Sequence, residues 1–255
     1  MLWYRAWLET RWRFVIGFAL LTLSAVGVVL AYPKVISLLP LVPSGDTGGE
    51  IGHRIREAAA LAREYRGYIW SQWFGQNLVQ TWTILAVLLG TGGLLAQTSG
   101  GGALFTLSMP VSRTRLLAVR AATGLVELLA LAVLPSLVIP LLSPAVGETY
   151  SSGSALVHAA CLFVAGAAFF SLAFLLSTIF GDLWRPLLLP LCAAAVLAFY
   201  EPFFPGLARY SVYRVMRAES YFRTGALPWP GLLASGLASA AMLYAAAVNI
   251  ARHDF

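Results

Sequence analysis

The chain has 255 residues, of which 59% are hydrophobic and only 11% charged, and its formal net charge is +6. Soluble domains carry about 25% charged residues, so this composition excludes a large soluble core and indicates a polytopic membrane protein. In such a protein an excess of positive charge sets orientation and binds lipid headgroups. No soluble basic region with interleaved aromatic residues is present, and nucleic-acid binding is therefore not expected.

The N-terminal segment, residues 1–13, has the pattern of an amphipathic helix lying at the membrane interface. Three tryptophans in so short a segment argue against a disordered tail. The aromatic and apolar side consists of Trp3, Tyr4, Trp7, Leu8 and Phe14, and the charged side consists of Arg5, Glu9 and Arg13.

Six apolar runs follow this segment. At about 1.5 Å per residue, roughly 20 apolar residues cross a hydrocarbon core of about 30 Å. Pro33 is expected to end the first span, and Pro135 and Pro140 are expected to kink or break the far end of the third. The sequence therefore predicts an all-α integral membrane protein with one transmembrane domain. Its six predicted spans cover residues 14–32, 78–97, 116–142, 155–180, 186–200 and 229–251.

The connecting segments differ on the two sides of the membrane. Residues 33–77 and 201–228 form long outer segments, with amphipathic helices expected over 50–66 and over the basic part, 209–223. The loop over 98–115 lies on the side of both termini. A raw count of Lys and Arg does not decide the orientation, but the short loops and the first span carry more weight in the positive-inside rule. We therefore expect cytoplasmic termini in a multi-pass protein of the cell membrane.

The residues that carry enzyme chemistry are sparse. His53, His158 and His253 lie far apart in the sequence, and no metal-ligand spacing occurs, so no metal site and no catalytic residues are expected. Cys161 and Cys192 both lie in apolar runs and are interpreted as small buried hydrophobic residues. The motif Ser151–Ser154 (SSGS) leaves an intramembrane serine protease as a less favoured alternative.

A nucleotide site is also absent from the sequence. The motif GxxxxGK[ST] does not occur, and the single lysine, Lys34, lies just outside the first span. The glycine-rich run Ser99–Ala103 lacks the lysine that would hold phosphates. If this protein uses ATP, another chain must bind it.

Polar side chains within the predicted spans are costly and therefore candidates for function. Glu127 is the clearest, about three turns into the third span, and Gln80, Thr83 and Asn249 lie nearer to span ends. Glu127 either pairs with a basic group or lines a substrate path. The alternative is a carboxyl near the interface that neighbouring helices satisfy.

The central stretch, Ala96–Arg120 (AQTSGGGALFTLSMPVSRTRLLAVR), is the long polar and glycine-rich interruption that leads through a basic cluster into an apolar run. Its run from Phe105 to Leu117, with Arg120 after it, resembles the "TLxxPVSRxRLLxxR" pattern of the membrane subunits of ABC type-2 exporters. The layout of an amphipathic N-terminal helix and six spans is similar to that family over the whole chain. Gln97 and Thr98 replace the acidic residue that usually precedes the loop.

This resemblance implies a division of labour between chains. Two permease subunits, identical or related, would form the pathway, and two separate ATPase subunits would bind ATP and Mg, so this chain would bind no cofactor itself. A short coupling helix would dock on the ATPase, with an apolar anchor, a turn fixed by proline and arginines for charge. The residues assigned to ATPase coupling are Phe105, Thr106, Leu107, Ser108, Met109, Pro110, Val111, Ser112 and Arg113.

Two other interpretations of the same features remain. Arg113 and Arg115 would also serve as the positive anchor that orients the third span in any membrane protein. The chain would then be a non-transport scaffold or a mechanical transmitter, with its basic outer segments as docking surfaces.

Overall fold

The structure is a computed structural model that describes residues 2–38, 59–91, 113–203 and 211–252, with the backbone alone at 113 and 200–203. Throughout these ranges the regular elements are helices, with no strand, which confirms the predicted all-α class. The helices are α1 (Leu2–Leu38), α2 (Tyr65–Ile69), a π-helix (Trp70–Asn77), α3 (Leu78–Gly90), α4 (Arg113–Leu142), α5 (Ser152–Ile179), α6 (Trp184–Phe203), α7 (Val212–Met216), α8 (Glu219–Thr224) and α9 (Trp229–Arg252).

The length and apolar composition of several helices indicate that this chain is a membrane protein. Among the described residues, four helices are long and apolar enough to cross a bilayer: α1, α4 with the 3₁₀ turn Ser143–Val146 that follows it, α5 and α9. The apolar part of α6, Trp184–Phe199, is shorter. The helix from Tyr65 to Gly90 consists of α2, the π-helix and α3, which follow one another without a break.

Helix α1 differs from its prediction at both ends. It runs unbroken from Leu2 to Leu38, roughly 55 Å at 1.5 Å per residue, so the N-terminal segment continues directly into the first span. The prediction that Pro33 ends this span is wrong, because the helix continues five residues beyond it. A proline removes one backbone hydrogen bond, whereas ending the helix in apolar surroundings would leave several groups unpaired.

The prolines of α4 behave in the same way. The helix passes through Pro135 and Pro140 to Leu142, so of the predicted kink or break the break does not occur. Two serine hydroxyls in these turns donate to backbone carbonyls, Ser136 to Ala132 at 2.6 Å and Ser143 to Ile139 at 2.7 Å. Neither serine bonds to the carbonyls of Leu131 and Ser136, which are the ones that Pro135 and Pro140 leave without an i−4 donor.

Two further helix boundaries differ from the predicted ones. The second predicted span was to reach Gln97, but α3 ends at Gly90, where Thr91 adopts an extended backbone conformation. The outer helix predicted over 50–66 does not run through to Arg66, because a bend at Glu64 separates helical residues 59–63 from α2. Residues 50–58 of that prediction lie outside the described ranges.

Helix α5 is the centre of the bundle and packs against α3, α4, α6, α7 and α9, while α1 packs against α3 and α4. Glycines permit the closest approaches, as is common between membrane helices. A Cβ atom at Gly90 would lie 2.6 Å from the backbone oxygen of Phe170, and one at Gly166 would overlap the ring of Trp82. These positions hold α3 tightly against α5.

The bundle has two ends, which differ in composition. The terminal end holds the start of α1, the end of α3, the start of α4 and the ends of α5 and α9. The distal end holds the end of α1, α2, the start of α5 and the short helices α7 and α8. It is rich in aromatic contacts, such as the stack of Trp70 on Phe222 at 4.4 Å and the hydrogen bond of Tyr65 with Ser143 at 2.7 Å.

Candidate functional site

A group of polar side chains joins α1, α3 and α4 at the terminal end, and we refer to it as the polar cluster. It lies between helices that are otherwise apolar, where polar groups are retained at a cost. Its members are Glu9, Thr10, Arg13, Thr91, Arg120 and Glu127.

Glu127 is the most deeply buried acid of this cluster, with 4% of its surface exposed. Its Oε1 accepts a hydrogen bond from the hydroxyl of Thr10 at 2.6 Å, and Thr10 is itself buried. Its Oε2 is also buried and has no hydrogen-bond partner within the described part of the chain. The Thr10 bond is therefore the contact that satisfies this carboxyl group, and its loss would leave both oxygens unpaired.

A salt bridge forms a second contact between α1 and α4. Arg120 Nη2 lies 3.1 Å from Glu9 Oε2, with 14% of the Arg120 side chain and 29% of the Glu9 side chain exposed. Arg120 and Glu127 are seven residues apart, two helical turns, and so share one face of α4. Glu9 and Thr10 meet that face from α1. The two contacts together fix the rotation of α1 against α4.

Arg13 closes the end of α3. Its Nη1 donates to the carbonyl oxygens of Leu88 at 2.7 Å and Thr91 at 3.1 Å, and the Thr91 hydroxyl donates to Leu88 as well. The last carbonyls of a helix have no partner within the helix, and a positive charge is favourable there. Arg13 therefore serves as the C-terminal cap that the sequence of α3 does not supply.

The first turns of α1 are consequently oriented with Glu9 and Arg13 toward the other helices, while Arg11 is exposed. Glu9 and Arg13 bond to the bundle, while Trp3, Tyr4 and Trp7 are exposed by 42–66%. Aromatic rings of this kind are typical of the headgroup region of a bilayer. The sequence separates the two sides of this helix, but it does not predict that the charged side makes the tertiary contacts.

In sequence, the polar cluster flanks residues 92–112, which hold most of the central stretch. Leu88 and Thr91, bonded to Arg13, immediately precede residues 92–112, and Arg120 comes in the third turn of α4, just after them. Residues 105–112 of the assigned coupling helix lie outside the described residues. Arg113 is the first residue of α4, and the placement of its side chain is not described. Both flanks of the stretch are thus attached to one helix, α1.

The C-terminal helix, α9, caps the end of α5, which lies at the terminal end of the bundle. The side-chain amide of Asn249 on α9 donates to the carbonyl oxygen of Thr178 at 2.8 Å, near the end of α5. Asn249, which the sequence singles out as a polar residue in a span, therefore has a capping role. The N-terminal and C-terminal helices each close one helix of the bundle core.

His53 and His253 lie outside the described residues, and within those residues the others named from the sequence do not assemble into a reactive site. No group of three His, Cys, Asp or Glu residues that could hold a metal ion occurs within the described ranges. Cys161 is buried and Cys192 exposed, and both are free thiols. Thr83 donates to the carbonyl of Val79 within its own helix, and Gln80 is exposed.

Among the described residues, no histidine is hydrogen-bonded to a serine hydroxyl of SSGS as the base of a serine protease would be. Ser151 caps α5 by accepting from the backbone N–H of Ser154. His158 is buried against the ring of Phe74, and its Nδ1 lies 2.8 Å from the backbone oxygen of Ser154. The Ser154 hydroxyl and His158 Nε2 make no hydrogen bond with each other, although an activated serine requires such contact with its base.

Sequence reasoning identified Glu127 but missed Glu9, Thr10, Arg13 and Arg120 as its surroundings. A signal was present, because Glu9 and Thr10 each lie about one turn before Arg13, at the start of a helix long enough to cross a membrane. Comparison of the chain with protein-family models, with curated proteins and with solved structures finds no match.

Proposed function

We propose that this chain is the membrane-spanning subunit of an ATP-driven exporter, which works as a dimer with a separate ATPase. The proposal rests on the central stretch, whose sequence resembles the coupling region of ABC type-2 exporters. The observation that carries it furthest is the attachment of both flanks of that stretch to α1, through Arg13 and through the pair of Glu9 with Arg120. A segment that receives force from a partner needs such attachment.

In this proposal six helices span the membrane. In addition to the four membrane-length helices, the continuous helix over 65–90 and α6 cross the membrane. The apolar part of α6, Trp184–Phe199, covers roughly 24 Å at 1.5 Å per residue. The termini lie in the cytoplasm of a cell-membrane protein, because Arg11, Arg13 and the basic residues around the central stretch lie at the terminal end. The ATPase then docks at this end.

The mechanism divides the work between chains. The partner binds ATP and Mg, and this chain binds neither. Residues Phe105–Arg113 sit on the ATPase, and displacement of this segment pulls on α3 and α4 together. Because Arg13 and Glu9 attach both helices to α1, the three helices move as one unit, and the pathway alternates between its two open sides.

In this proposal Glu127 does not line a substrate path. Its carboxyl group faces Thr10 beneath α1 and is 4% exposed, so it holds the moving helices together. A path-lining acid would need access to water.

The scaffold alternative would use the basic outer segments as docking surfaces. Two of those arginines, Arg214 and Arg223, lie 3.4 and 2.9 Å from the carboxylate of Glu219. Their charge is therefore partly neutralised within the chain, and this reduces the attraction of that segment for an acidic partner.

The test is capture of the ATPase by the tagged full-length chain from native membranes in mild detergent. The double variant Phe105→Ala with Met109→Ala is expected to lower recovery of a P-loop protein at least several-fold. The matched control is Leu141→Ala with Leu237→Ala, two exposed apolar residues on α4 and α9, which should leave recovery unchanged. Equal recovery with both pairs would contradict the coupling assignment.

A further inference from the structure

The outward face of the helix over 65–90 is polar. Between Trp70 and Thr91 the exposed side chains are those of Gln72, Gln76, Gln80 and Ile84. Residues four apart lie on one face of a helix, and all three glutamines are exposed together although the first two belong to the π-helical stretch. We call Gln72, Gln76 and Gln80 the glutamine face.

No comparable face occurs within the spans of the four membrane-length helices in the described ranges. Their outward positions are apolar, as expected for contact with lipid tails. Examples are Leu20, Leu23 and Leu30 on α1, Val126, Leu129 and Leu134 on α4, and Leu233 and Leu237 on α9. The glutamine face is therefore a local exception and not a general property of the surface.

In the six-span arrangement proposed above, the glutamine face reaches the depth of the membrane interior. Gln80 precedes Thr91 by 11 residues, which is roughly 16 Å along the helix axis, about half of a 30 Å hydrocarbon core. Thr91 belongs to the polar cluster and marks the terminal end. An amide group at this depth finds no hydrogen-bond partner in lipid, and such groups in spans face other protein or water.

We propose that the glutamine face packs against the same face of a second copy of this chain. A carboxamide carries both donors and an acceptor, so a row of three is complementary to itself. In a two-fold symmetric dimer the same patch meets itself, and an uncharged face does so without repulsion. Half-buried Ser71, Asn77 and Thr81 flank the row, and small or polar residues at such positions allow close approach and bonding between membrane helices.

This inference rests on the dimer of the proposed function but not on its ATPase. It assigns the subunit contact to the helix over 65–90. The last part of this helix, α3, ends at the polar cluster. Force applied at the terminal end would then reach the subunit interface along a single helix.

The test uses disulfide cross-linking in native membranes. Gln76→Cys and Gln80→Cys are made one at a time in a chain carrying Cys161→Ser and Cys192→Ser, and a mild oxidant is added. The expected result is a dimer-sized band, because symmetric positions within about 7 Å between Cα atoms form a disulfide. The controls are Leu233→Cys and Leu134→Cys, which lie on other outward faces and should remain monomeric.

Each other outcome overturns the inference. Glutamine-face cysteines that stay monomeric but react with a membrane-impermeant maleimide would show that this face lines a water-filled space. Cysteines that neither cross-link nor react would place it against lipid or another protein. A dimer band without any P-loop protein in the preparation would uphold this inference and contradict the exporter proposal, so the two failures are distinguishable.

A second measurement guards against cysteine-specific effects. Gln76→Leu with Gln80→Leu should raise the dimer dissociation constant in detergent at least tenfold, since the hydrogen bonds across the interface are lost. Ile84→Leu, on the same helix and also exposed, is the matched control and should leave it unchanged. Equal dissociation constants for both variants would contradict the proposal.

Discussion

Thr10 and Glu127 lie 117 residues apart in the chain and are joined by a hydrogen bond of 2.6 Å within the bundle. The hydroxyl of Thr10 is the sole partner that the described part of the chain offers to this carboxyl group. The N-terminal helix is thus integrated into the core of the terminal end, although its composition is that of a surface helix.

Thr10→Val is expected to destabilise the folded chain by about 1–3 kcal/mol, because the buried carboxyl group of Glu127 would lose its partner. Thermal unfolding in detergent measures the effect. Thr22→Val on the same helix is the matched control, since the buried Thr22 hydroxyl has no partner within the described ranges and its removal should be neutral or stabilising. Equal shifts for the two variants would show that the Thr10 bond contributes nothing.

Exchange of the charges of Glu9 and Arg120 tests the salt bridge. Each single variant, Glu9→Arg or Arg120→Glu, places like charges together and should cost about 1–2 kcal/mol, given a pair that is only partly exposed. The double variant should recover most of the loss. A double variant that behaves as the sum of the two singles would show that the residues do not interact.

Arg13→Leu should loosen the end of α3, because the carbonyls of Leu88 and Thr91 would lose a charged donor worth about 1.5–3 kcal/mol. Hydrogen–deuterium exchange should rise at the last turn of α3, before the central stretch. Arg11→Leu is the control, because Arg11 is exposed and lies over the ring of Trp12. If exchange is unchanged in Arg13→Leu, Arg13 does not hold the end of α3 in place.

Gly166→Val should prevent normal packing of α5, since any side chain there overlaps the ring of Trp82, which is itself fully buried. Overpacking costs about 1–3 kcal/mol and sometimes more, and the yield of monodisperse protein is the measurement. Gly27→Ala is the control, because no atom of the described residues lies within 4 Å of its added Cβ, and alanine favours a helix interior. Similar yields for the two variants would mean that the contact between α3 and α5 is looser than described.

The sequence predicted the helices better than their contacts. Apolar runs of membrane length indicate helices because unpaired backbone groups are costly in lipid, and α4, α5 and α9 follow those runs closely. The same principle explains why α1 continues past Pro33, where propensity rules that hold in water predicted a helix end, and why α4 passes through Pro135 and Pro140.

The candidate site could be predicted only in part. Glu127 is visible as an acid in an apolar run, but its partner Thr10 is fixed by the packing of α1 on α4, which no local pattern encodes. Arg13 was expected on the charged side of an interfacial helix, and its role as a cap depends on where α3 ends. The glutamine face became visible only when exposure was known, because Gln72 and Gln76 lie in a segment that was expected outside the membrane.

The central claim is that an ATPase works with this chain. The most direct measurement is purification of the tagged chain at native expression in mild detergent, followed by mass spectrometry of the proteins that accompany it. The account predicts a stoichiometric partner that carries a P-loop and is retained in lipid nanodiscs. Homogeneous chain without such a partner, in detergent and in nanodiscs alike, would contradict the exporter assignment.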